Sequence, residues 1–241
     1  MNCDEIIAAL KEQSSEKYRA NVVKLGIPAD CSIGVSTGDV RKLAKELKKS
    51  NVLAMELWNT GYHEARLLAV LVFDKKTLDL DSATRLMEDV VSWDLCDHLC
   101  KNLLIKMKGY EGLIEGWCAS DKTYVKRAAF TLMASAAIHE KMLSMDRVDN
   151  YLNWIRMYSD DAREHVKKAV SWALRELGKI DFEHREKSVA LAYELLENGS
   201  KTQVWIAKDA LKELEKLVKV EGRGRLITSD SKMGEESFAD L

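Results

Sequence analysis

One helical pattern recurs in this chain at a fixed interval. KRAAFTLM begins at Lys126, KKAVSWAL at Lys167 and KDALKELE at Lys208, in two steps of 41 residues each. Each segment places apolar residues at helical spacing and opens with a cation. A shorter relative, EARLLAVL, begins at Glu64. Between the copies lies a second amphipathic segment of helical length, so the repeating unit is a helix pair. One such pair cannot bury its apolar face alone. Neighbouring pairs stack until a continuous core is closed, and the equivalent helices then line one surface.

A period near 40 built from helix pairs matches the HEAT-like signature. The fold expected is therefore all-α, a HEAT-like helical-repeat solenoid (an α-α superhelix) with a concave groove. An irregular helical bundle is the alternative use of the same segments. The punctuation agrees with pairs. CDEIIAALKEQ and SEKYRANVVKL read as the first two helices, and Gly26 to Gly38 as a long loop around the single proline, Pro28. STGDVRKLAKELKKS restarts on Ser36 or Thr37 as N-cap. NVLAMELWNTG stops at Gly61, a good residue just past a helix end, and YHEARLLAVLVFD turns back at once. SATRLMEDVVS with SWDLCDHLCKNLLIKMKG, YEGLIEGWCAS with DKTYVKRAAFTLMASAA, SMDRVDNYLNWIRMYS with DAREHVKKAVSWALRELGK, and FEHREKSVALAYELLENG with SKTQVWIAKDALKELEKLV complete the series. No alternating pattern is long enough to read as a strand. Residues 1–226 are expected to form a single all-helical domain, and residues 227–241 a polar, mobile C-terminal tail. GRGR at Gly222 to Arg225 follows no strand and is no phosphate loop; it reads as a small basic contact or the start of the tail.

The chain has 241 residues, 46% hydrophobic, enough for a sizeable core. The net charge of -2 does not advertise a nucleic-acid binder, but one basic face can coexist with acidic outer surfaces. Five cysteines, an odd count without a C-x-x-C pair, read as reduced thiols in a cytoplasmic protein. No apolar run approaches the roughly 20 residues of a membrane span. The five histidines are scattered without H-E-x-x-H spacing, so no metal and no cofactor are expected. Glu64 reads as an ion-pair partner of Arg66 or Lys75.

Polar residues of the second helices gather on the shared surface. Trp93 and Asp97 are four apart in SWDLCDHL, hence on one helix face. Lys126 and Arg127 open one copy of the repeat. Lys168 occupies the register position of Arg127, Trp172 lies one turn on, and Arg175 is on nearly the same side. Cations favour phosphate, and aromatic faces stack on bases or lie against sugars. A carboxylate beside a DNA backbone is repelled unless it has a positive charge to meet. Cleavage of an N-glycosidic bond supplies one, an oxocarbenium-like C1′ that a carboxylate stabilises while orienting the attacking water. A cationic N3- or N7-alkylated purine leaves without a strong general acid. Each residue also has a bland structural account. A helical tryptophan is most often core, Asp94 is a first-turn acid behind the cap Ser92, and Asp97 can pair with Lys101. The functional case rests on joint placement.

The chain resembles the HEAT-like DNA alkylation repair glycosylases of the AlkD family. GVSTGDVRKLAKEL, LAMELWNTGYHEARLLAVL, SWDLCDHL, YVKRAAF and VKKAVSWALRELGK carry the likeness, in family order, over most of Gly34 to Lys179. The resemblance implies a solenoid gripping duplex DNA and hydrolytic release of N3- or N7-alkylpurines. It implies Asp97 as the catalytic carboxylate, Trp93 and Trp172 as the aromatic pair flanking the sugar, Arg127 as a cation near the phosphates and Arg175 as a backbone contact. The chain departs from the pattern at Tyr124, where the family often has Trp, and in TLMASAA, which carries no further cation. Tyr18 is a candidate for the family's amino-terminal tyrosine. The expected partner is duplex DNA with an alkylated purine, bound by a monomer, with no membrane and with the protein at the nucleoid when it acts. A non-catalytic scaffold binding DNA structures or a protein is the competing function.

Overall fold

A computed structural model describes residues 1–24 and 26–239. Leu25, the last residue of the second expected helix, and positions 240–241 of the expected tail lie outside the described residues. The chain divides into two compact units, Met1–Tyr110 and Glu111–Leu241.

The first unit holds α1 (Cys3–Glu12), α2 (Glu16–Lys24), α3 (Thr37–Glu46), α4 (Asn51–Asn59), α5 (His63–Val72), α6 (Leu80–Glu88) and α7 (Trp93–Asn102). Helices α3, α5 and α7 pack in succession, α4 lies on α5, and α1 packs on both α4 and α5. The boundaries follow from capping. Ser36 is the N-cap of α3 and accepts from the Asp39 N–H at 3.1 Å; Ser50 does the same for α4 with Leu53, and Asp79 for α6 with Ser82. Gly61 ends the α4 turn at φ +77°, where an L side chain is strained, and so permits the immediate reversal into α5.

The second unit holds α8 (Glu111–Cys118), α9 (Thr123–His139), α10 (Met145–Tyr158), α11 (Glu164–Gly178), α12 (Phe182–Asn198) and α13 (Lys201–Leu214). Its second helices, α9, α11 and α13, pack one on the next, backed by α8, α10 and α12. These are the three copies of the 41-residue pattern. The stretch TLMASAA is core, with residues 128–137 of α9 all buried. Burial on every side requires apolar residues all round the helix, and alanine gives the best helix propensity where space is short. That is why no cation follows Arg127 there.

Beyond α13, β1 (Leu217–Val218) pairs antiparallel with β2 (Ile227–Thr228), and α14 (Lys232–Ala239) follows. Residues 227–239, read from sequence as a tail, thus carry β2 and α14. Leu217 and Leu226 are buried. Arg225 of GRGR reaches the end of α11, donating to the Glu176 carbonyl at 2.7 Å and its carboxylate at 2.8 Å. Among the described residues no helix is long and apolar enough to cross a membrane.

Candidate nucleic-acid site

In the first unit, α3, α5 and α7 enclose a pocket of about 270 Å³. Trp93 and Asp97, one turn apart on α7, both line it, as do Thr37 and Arg41, one turn apart on α3. Trp93 and Asp97 are each part-exposed rather than lost in the core. Asp94, His98, Lys101 and Asn102 complete the polar wall, and Leu67 of α5 supplies an apolar patch. The pocket therefore offers an indole face, carboxylates and two cations within one concavity.

Two histidines shape this wall. His63 opens α5 and meets Asp94, Nε2 to Oδ2, at 2.7 Å. Burial alone would raise the Asp94 carboxyl, but the His63 imidazole beside it holds it below the usual carboxylate range. Asp94 is the first-turn acid of α7, as its position foretold, and it has this second task as well. Ser92 takes the N-cap conformation, but its side chain makes no capping hydrogen bond. His98 is buried, with Nε2 3.1 Å from the Leu67 carbonyl and Nδ1 3.2 Å from the Asn102 amide. Desolvation, and then the nearby Arg41 charge, push its pKa down to about 4. His98 is thus neutral at physiological pH, and the carbonyl contact requires the proton on Nε2.

Glu64 supports the pocket from beneath α3, and its role differs from the ion pair expected for it. Its carboxylate is almost fully buried and accepts from Ser32 Oγ (3.0 Å) and from the backbone N–H groups of Ile33 (2.8 Å), Gly34 (2.7 Å) and Val35 (3.3 Å). A carboxylate can satisfy several donors at once, which a side chain of single capacity cannot. The long loop is therefore held where it delivers Ser36 and Thr37 to the start of α3. Arg66, the partner expected for Glu64, instead lies over the Trp58 ring at 5.1 Å and donates to the Trp58 carbonyl at 3.2 Å.

The other expected site residues belong to the second unit. Trp172 is part-exposed on α11. Every expected cation there meets an acceptor of the protein itself. Lys126 lies 3.0 Å from Asp161, Lys168 lies 3.0 Å from Glu164, and Arg175 lies 2.8 Å from Glu213. Arg127 is 7% exposed and donates from Nη1 to the His165 carbonyl at 2.7 Å, tying α9 to the start of α11. Asp161 also takes hydrogen bonds from Arg163. Those bonds, with Lys126, hold its carboxyl well below the usual range. Glu213 is shared with Lys179 at 2.6 Å, and Glu176 joins Lys179 to Arg225.

The structure brings Trp93 and Asp97 into one pocket, as their shared helix face implied, and most of the side chains beside them were not singled out from sequence. Thr37 with Arg41, and His98 with Asn102, are i, i+4 pairs that could have been flagged as polar stripes. The His63–Asp94 contact joins positions 31 residues apart and carries no sequence signal.

Comparison with known proteins shows where such a chain belongs. A comparison with curated proteins finds no match. Among solved structures, a member of a new family of proteins related to the HEAT-like repeat DNA glycosylases, with affinity for branched DNA structures, superposes with a TM-score of 0.74 at 19% identity, over 100% of this chain and 94% of that one. AlkD2 from Streptococcus mutans superposes with a TM-score of 0.60 at 19% identity, over 88% of this chain and 98% of that one. At such identities the likeness establishes a shared helical-repeat fold. The sequence itself matches the family model for DNA alkylation repair enzymes from residue 6 to residue 214, nearly the whole span from α1 to the end of α13. Because that match covers most of its length, this chain belongs to the DNA alkylation repair enzyme family.

Proposed function

We propose that the protein is a DNA glycosylase that hydrolyses the N-glycosidic bond of cationic N3- or N7-alkylated purines in duplex DNA. The observation that carries this reading is the α3–α5–α7 pocket, where Asp97 stands one turn from Trp93 on α7 and Arg41 of α3 lines the same concavity. In the reaction the C1′–N bond breaks and its electron pair leaves with the purine, which neutralises the base's own positive charge. The positive charge developing at C1′ is stabilised by the Asp97 carboxylate. Water adds to C1′ and loses a proton to Asp97 and then to solvent, leaving an abasic site and the free base. The Trp93 face lies against the sugar, and Trp172 of the second unit is assigned as the second aromatic residue of the reaction. Lys126, Lys168 and Arg175 contact the backbone phosphates once released from their carboxylates, while the buried Arg127 braces α9 against the start of α11 behind them. The protein acts as a monomer without metal or cofactor. The test is release of 7-methylguanine or 3-methyladenine from alkylated duplex DNA. Release should fall to the spontaneous rate in Asp97→Asn, and equal release by the wild type and this variant would remove the activity.

A second reading, a non-catalytic DNA-structure binder, is favoured by one specific observation. Lys126, Lys168 and Arg175 are already paired with carboxylates. A paired cation must give up its partner before it displaces counterions from DNA, which weakens the grip on a plain duplex. The related family with affinity for branched DNA structures gives this reading a precedent in the same fold. Titration of plain and four-way-junction DNA separates the two readings. Junction binding at least tenfold tighter than duplex binding, without base release, would favour the binder.

A further inference from the structure

The turns that follow α3, α5 and α7 bring four lysines together. Lys49 comes from the first turn, Lys75 and Lys76 from the second, and Lys106 from the third. All four line one cavity of about 520 Å³. Like charges converge at a cost unless an anion compensates them. Lys106 registers that cost. Its own partial burial, and then Lys75, Lys49 and Arg41, hold its ammonium below the ordinary lysine range. Among the described residues none of the four makes an ion pair. The one carboxylate on the wall, Asp74, accepts from the Lys76 backbone N–H at 3.0 Å.

A structural role covers only part of this. Cations suit helix C-terminal ends, and Lys49 serves there by donating to the Leu71 carbonyl. That accounts for one ammonium and not for the convergence of three more. The paired cations of the second unit are the contrast, because these lysines need break no ion pair before meeting a phosphate. Asn102 lines both this cavity and the Trp93–Asp97 pocket. Lys106 lies nine residues beyond Asp97, past the end of α7 at Asn102.

We propose that Lys49, Lys75, Lys76 and Lys106 form a second anchor for the phosphodiester backbone of DNA, offset along α7 from the Trp93–Asp97 pocket. The anchor rests on the DNA-binding reading above. It holds the strand beside the pocket by charge alone and reads no sequence.

The test is the salt dependence of binding to a short, unmodified, fluorescently labelled duplex. Lys75→Ala/Lys106→Ala is compared with the wild type and with Lys75→Arg/Lys106→Arg. Two lost phosphate contacts make the slope of log affinity against log salt shallower by about 1.8. The affinity ratio between 50 and 200 mM salt then falls about 12-fold. The arginine pair should restore the slope, which separates charge from folding. If the wild type binds and the alanine pair keeps the wild-type slope, the anchor is overturned while the DNA reading stands. Failure of the arginine pair to restore the slope also overturns it. A wild type that binds no DNA at low salt overturns the DNA reading and the anchor with it.

Discussion

At the scale of single residues, chemistry is set by neighbours that the sequence does not announce. SWDLCDHL was legible as an indole and a carboxylate on one helix face, and Trp93 and Asp97 do share a pocket. The division of labour among its other residues was not legible, because His63 and Leu67 arrive from a different helix. His98 is the clearest case. It titrates near 6.5 when unfolded but only at about 4 in the fold. The unfolded chain therefore binds more protons between those values. The stability His98 confers is whole above about pH 6.5 and is lost as pH falls toward 4, a difference of about 3 kcal/mol. His98→Gln should flatten the fall in urea midpoint between pH 7 and 4. A pH dependence identical to the wild type would mean that His98 is not the group responsible. The buried Arg127 marks the limit in the other direction. A cation read as a phosphate contact also fastens α9 to the His165 carbonyl, so its substitution should cost stability as well as affinity.

At the scale of elements, helices and their caps were readable because they depend on local spacing. Ser36, Gly61 and the three 41-residue copies fall where the sequence placed them. The loop before α3 was readable only as an interruption. Its conformation is imposed by Glu64, some thirty residues later, whose carboxylate gathers three successive N–H groups and the Ser32 hydroxyl. Glu64→Ala strands those donors in the interior and should lower the unfolding free energy by about 3 kcal/mol. Gly34 lies in the same loop at φ +93°, and an added Cβ would stand 2.8 Å from the Ser15 carbonyl oxygen and 2.9 Å from Arg19 Cβ. Gly34→Ala should therefore cost about 2 kcal/mol or more. Thermal melts check both variants, and a Gly34→Ala protein that melts like the wild type would show that the loop relaxes freely.

At the scale of the whole molecule, the overall charge of -2 hides how differently the cations are employed. Composition counts charges and cannot tell a paired arginine from an unpaired lysine, so this was beyond sequence reasoning. Glu213 holds Arg175 and Lys179 together. If α11 faces DNA, Glu213→Gln should tighten duplex binding and steepen the salt slope by about 0.9 for each cation that then finds a phosphate. An unchanged slope would take Arg175 off the DNA-facing side. The hairpin after α13 bears on the same helix. The Leu226 N–H bonds the Lys179 carbonyl at 2.9 Å, and Arg225 holds the Glu176 carbonyl at 2.7 Å. The last turn of α11 is therefore tied by hydrogen bonds to a segment more than forty residues further along the chain. Amide hydrogen exchange should report the two as one cooperative unit, with Arg225→Ala quickening exchange in both. How quietly the helix bearing Trp172 holds its pose is thus governed from a part of the chain that never approaches it in sequence.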